Sequence, residues 1–118
     1  MSKYLIGHSG LNLNNFYVTR KALKKAVKNS KGKILPLTNS FMENEVIGAV
    51  SNLEYKNGKV YAKVDLLKFV NRNQKVIRCA YRLDKQIQRK TYITADSMSV
   101  EFCGLIDKGR DAERKIRK

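Results

Sequence analysis

Asn57-Gly58 lies between two stretches of β-forming sequence, and no other feature constrains the chain as strongly. Glu45-Val46-Ile47-Gly48-Ala49-Val50-Ser51-Asn52-Leu53-Glu54-Tyr55 precedes it, and Val60-Tyr61-Ala62-Lys63-Val64-Asp65-Leu66 follows. A two-residue hairpin turn needs positive φ, which Asn and Gly tolerate, so the pair predicts a hairpin over residues 45–66. In the second run Val60, Ala62, Val64 and Leu66 alternate with Tyr61, Lys63 and Asp65. Period two with one polar face predicts a half-buried antiparallel strand. The first run is apolar on both faces as far as Val50, which predicts a deeper strand.

The remaining elements are arranged around this hairpin. Tyr4 to Ser9 reads as a short first strand, followed by an Asn-rich loop. Thr19 is placed to cap a helix over 20–29, with Ala22, Leu23, Ala26 and Val27 on one face. Gly32 can terminate it. Ile34-Leu35-Pro36-Leu37 reads as an edge strand or a strand end, because proline donates no ladder hydrogen bond. Val76, Ile77, Ala80, Tyr81, Asp84 and Ile87 follow helical spacing and predict a second helix over 74–88, with Asp84 the one polar intruder. Thr91-Tyr92-Ile93-Thr94 reads as a short strand. Asp96 to Ile106 reads as the last one, with Met98, Val100 and Phe102 opposite Ser97, Ser99, Glu101 and Cys103. The expected fold is α+β, an antiparallel sheet or small barrel on the central hairpin, covered by two amphipathic helices. Residues 1–106 form one domain and 107–118 a basic, charged tail.

Twenty-five lysines and arginines face ten acidic residues, a net charge of +15 in 118 residues. Such a balance speaks of partners and not of fold. Both expected helices carry basic outer faces, and the tail is basic too. The candidate anion-binding residues are therefore Arg20, Lys21, Lys24, Lys25, Lys28, Arg78, Arg82, Lys85, Arg114, Lys115, Arg117 and Lys118. One histidine and two cysteines without metal-type spacing argue against a metal site, and no glycine-rich phosphate loop implies a cofactor. No apolar run is long enough for a membrane span or a leader, so the expectation is a cytosolic product with reduced, buried Cys79 and Cys103.

Three further stretches carry a resemblance: Asn44-Glu45-Val46-Ile47-Gly48-Ala49-Val50, Asn57-Gly58-Lys59-Val60-Tyr61-Ala62-Lys63-Val64, and Ser97-Met98-Ser99-Val100-Glu101-Phe102. In this order, over most of residues 12–104, the chain resembles the prohead (head maturation) protease family of tailed phages, which shares its fold with herpesvirus assemblin. The resemblance implies Ser99 as the nucleophile. It places the catalytic histidine within Leu37-Thr38-Asn39-Ser40, where this chain has none, and Glu101 stands where the family motif has glycine. The neutral amide of Asn39 is no general base, which leaves His8 as the only imidazole. The expectation is a non-catalytic relative: a structural or auxiliary protein of the phage head, oligomeric within an assembly. It would bind capsid or portal-region proteins or packaged DNA, in the host cytoplasm during assembly and then in the virion, with no membrane partner. The alternatives are an active serine maturation protease using Ser99 and His8, and a small basic nucleic-acid-binding or host-interaction protein.

Overall fold

The computed structural model describes residues 3–12, 14–41, 45–67, 71 and 73–111. The elements are β1 (Lys3–His8), β2 (Gly10–Leu11), β3 (Tyr17–Val18), α1 (Arg20–Asn29), β4 (Leu35–Thr38), β5 (Val46–Lys56), β6 (Lys59–Leu66), β7 (Lys75–Leu83), β8 (Gln86–Gln88), β9 (Ile93–Ala95) and β10 (Met98–Asp107), with a short 3-10 turn at Lys108–Arg110. Six strands form one sheet in the order β1-β6-β5-β4-β10-β7. Two small ribbons, β2-β3 and β8-β9, stand outside it.

The hairpin turns at Asn57 (φ 50°) and Gly58 (φ 78°), with Lys56 opposite Lys59. Two successive positive φ values match the right-handed twist of the flanking strands. A bulge between Ser51 and Glu54, with Asn52 at φ 53°, bends β5 halfway along. At Gly48 the strands approach so closely that a Cβ would lie 2.4 Å from the Asp65 carbonyl oxygen, so only glycine fits.

The sheet curls until its edge strands meet. Arg78 Nη1 on β7 donates to the Leu5 carbonyl on β1 at 3.1 Å, and Cys79 Sγ donates to the Ile6 carbonyl at 3.6 Å. The result is a nearly closed six-stranded barrel whose seam is bridged by side chains. Behind the Arg78 bridge stands Asp111, which accepts from Arg78 Nε at 3.1 Å and from Nη2 at 3.0 Å.

Among the described residues the fold is therefore mostly β with one α-helix, not an α+β sheet covered by two helices. The expected second helix over 74–88 is two strands, β7 and β8. Its apolar residues satisfied a helical period, but Val76, Ile77, Cys79 and Tyr81 suit a strand equally well. What decides is β10, which pairs with β7 from Met98↔Leu83 to Asp107↔Lys75. That partner lies far along the chain, where local periodicity cannot register it. Asp84 ceases to be an intruder: it follows the strand, and its carboxylate accepts from Ser97 Oγ at 2.8 Å.

Two strand readings also need correction. Pro36 lies in β4, which is interior between β5 and β10 and not an edge. β10 pairs only with Leu37 and Thr38, so the ladder on that side begins after the proline. In β10 the register shifts between Val100 and Phe102. Met98 and Val100 face the core before this bulge, and Cys103 and Leu105 face it afterwards. Phe102 is turned out of that row and meets Phe41 edge-on at 6.1 Å. The shift also sets Cys103 directly opposite Cys79, both as buried free thiols.

α1 begins at Thr19, whose Oγ1 accepts from Ala22 N at 3.0 Å. Its Ala22, Leu23 and Ala26 join the single core with residues of β1, β4, β5, β6, β7 and β10. Burying Leu23 alone contributes about 2 kcal/mol. Arg20 lies beside the Asn57-Gly58 turn, and Asn29 Nδ2 donates to the Met98 carbonyl at 3.2 Å. β4 is antiparallel to β5 and parallel to β10, so the hairpin turn and the start of β10 are at the same barrel end. The helix lies across that end.

A candidate nucleic-acid interface at the helix-covered barrel end

The first 42 residues contain eight lysines and arginines and no acidic residue. This asymmetry was legible in the sequence, and it matters because α1 carries most of those cations. Arg20, Lys21, Lys24 and Lys28 are exposed, and Lys25 is half-buried. Arg20, Lys24 and Lys28 recur every four residues, so they form one line with about 6 Å of helix rise between neighbours.

Contacts show where this line runs. A Cβ on Gly58 would lie 3.3 Å from Arg20 Nε, so the guanidinium flanks the hairpin turn. Lys24 Nζ stands 5.2 Å from the centre of the Tyr55 ring on β5. Beyond it, a groove of about 460 Å³ opens between the end of α1 and the bulged part of β5, lined by Val27, Lys28, Lys31, Asn52, Leu53 and Lys63 among others. Its cations thus lie along the hairpin side of the helix, from the turn toward the bulge of β5. Exposed Lys56 and Lys59 at the hairpin tip and Lys31 after the helix extend the charge. Reading helix faces alone missed these three: Lys31 lies past the end of the helix, and only the tertiary structure brings Lys56 and Lys59 to it.

Lys21, Lys24, Lys25, Lys28, Lys31, Lys56 and Lys59 form no ion pair with a carboxylate among the described residues. The ion pairs shown there join Lys3–Glu54, Lys63–Asp65, Lys75–Asp107, Arg78–Asp111 and Arg82–Asp84. Uncompensated cations in a row repel one another, and an anionic chain laid along them relieves that repulsion.

Other expected anion-binding residues are placed differently. Arg78 is not on this face: its side chain is 10 % exposed and committed to Asp111. Arg82 is exposed, with its Nε 3.9 Å from Asp84, and Lys85 is exposed beside it. Arg114, Lys115, Arg117 and Lys118 lie outside the described residues. The stretch after 106 begins within the fold, since Asp107 ends β10 and Asp111 is buried.

Ser99 lies on β10 opposite Arg82, half-buried. Its hydroxyl accepts from Asn29 Nδ2 at 3.4 Å, and among the described residues its side chain has no base as a partner. An amide donor at the oxygen does not remove its proton. Asn39 lies at the far end of β10, since its neighbour Thr38 pairs with Gly104. Five residues of strand separate Gly104 from Ser99, about 16 Å. His8 ends β1 opposite Lys59. Among the described residues no group of three or more His, Cys, Asp or Glu is placed to hold a metal ion, and no helix is long and apolar enough to cross a membrane. Serine-directed fluorophosphonates are expected to leave Ser99 unlabelled. Labelling that disappears in His8→Ala would show an active serine.

No family model matches the chain, and neither a curated protein nor a solved structure matches it.

Proposed function

We propose that this protein is a non-catalytic binding module that engages the phosphate backbone of nucleic acid through α1 and the adjoining hairpin. The supporting observation is the line Arg20-Lys24-Lys28, continued by Lys31, Lys56 and Lys59, whose lysines lack carboxylate partners among the described residues. Phosphate contacts of this kind bind without reading sequence. The head of a tailed phage, which the sequence resemblance implies, is one setting for such a surface. There the same cations would meet packaged DNA or an acidic capsid lattice, and the phosphate-binding reading does not depend on that setting. The hydrogen bond from Asn29 to Ser99 favours this reading over the serine protease.

The test is equilibrium binding of the protein to labelled DNA across a salt series. If six or more phosphates are contacted, affinity should fall roughly a thousandfold between about 50 and 200 mM salt. Absence of binding at low salt, or an affinity indifferent to salt, would overturn the proposal.

A further inference from the structure

We propose that Tyr17 and Tyr92 form a base-stacking platform, so that the nucleic acid bound is single-stranded; this rests on the nucleic-acid reading above. The two rings lie 5.5 Å apart, tilted by 42°. Tyr17 is 39 % exposed, so an aromatic face meets solvent on a strongly basic surface. The small ribbons hold the pair in place from both sides. Thr94 Oγ1 donates to the Tyr17 carbonyl at 2.7 Å, and Arg89 N donates to the Tyr92 carbonyl at 2.8 Å. Stacking on a ring held this way costs little ordering entropy.

Cations adjoin the two tyrosines along the chain. Arg89 and Lys90 sit in the turn that ends at Tyr92, and Arg20 and Lys21 follow Tyr17 by three and four residues. All four are exposed. Cations that track a backbone, next to aromatic rings that receive bases, are the combination used for single strands. A duplex offers the phosphates but keeps its base faces stacked inside, so it gains nothing from the tyrosines. The platform adjoins Arg20, where the cation line along α1 begins. A strand lying on that line therefore delivers its bases to the rings.

Three labelled probes of equal length test this: an oligothymidine of about twelve nucleotides, its abasic counterpart and a duplex. The thymidine strand should bind tightest. Tyr17→Ala and Tyr92→Ala should each weaken it roughly five- to hundredfold and leave the abasic strand within about twofold. Tyr17→Phe and Tyr92→Phe keep the ring and should bind as the parent does. Tyr17→Leu retains apolar volume without a π face and serves if the alanine variant does not fold. Equal affinity for thymidine and abasic strands, or tighter binding of the duplex, would overturn the platform and leave the phosphate-binding reading standing. Failure of all three probes to bind at low salt would overturn both.

Discussion

Replacing Asp111 with alanine should destabilise the barrel by about 3–5 kcal/mol, a large part of the stability of a domain of this size. Arg78 and Asp111 are almost enclosed, with side chains 10 % and 4 % exposed, and they meet through two parallel hydrogen bonds. Removing the carboxylate takes from a nearly enclosed guanidinium the counter-charge and the two hydrogen bonds that Asp111 supplies, which is the costly event. Arg78 also donates to the Leu5 carbonyl, so the damage would reach the β1–β7 seam, where the edges are joined by side chains. Arg78→Ala should cost a similar amount. The double variant Arg78→Met/Asp111→Leu should be milder than either single one, because no buried charge remains. Thermal or urea unfolding of the four proteins measures this. Single variants within about 0.5 kcal/mol of the parent, the range of ordinary surface changes, would show that the pair does not hold the seam.

Neutralising the cation line should have its largest effect on binding and a smaller one on stability. In Arg20→Gln/Lys24→Gln/Lys28→Gln/Lys31→Gln the salt slope should fall by about four, one for each phosphate that is no longer neutralised. Near 0.1 M salt the affinity should drop on the order of 10²-fold. Glutamine is as good a helix former as lysine, and the side chains replaced are exposed, so the helix should persist. Removing the Lys24 ammonium from the Tyr55 ring should cost about 0.5–1 kcal/mol of stability. Lys75→Gln/Lys108→Gln provides the control, since Lys75 pairs with Asp107 at the opposite end of β10. Per charge removed, the control should change affinity much less. Equal reductions would mean that binding follows net charge and not the arrangement along α1.

Local chemistry was enough to determine the hairpin and the first helix. Asn57-Gly58 supplies the two positive φ values its turn requires, and Thr19 caps α1 with its own hydroxyl, so neither depends on a distant partner. The basic face of α1 was legible for the same reason: residues four apart on a capped helix must share a face. Tertiary structure decided what local pattern leaves open. Residues 75–83 could satisfy a helical or an extended pattern, and pairing with β10 chose the strand. The bulge between Val100 and Phe102 sent Cys103 into the core, a register decision that alternation cannot foresee because one extra residue inverts every later side chain. Arg78 reads in sequence as one more cation on a basic flank. Only the closing of the barrel brought it to Leu5 and Asp111, and the cost of burying an unpaired charge made it an internal partner and not a surface one.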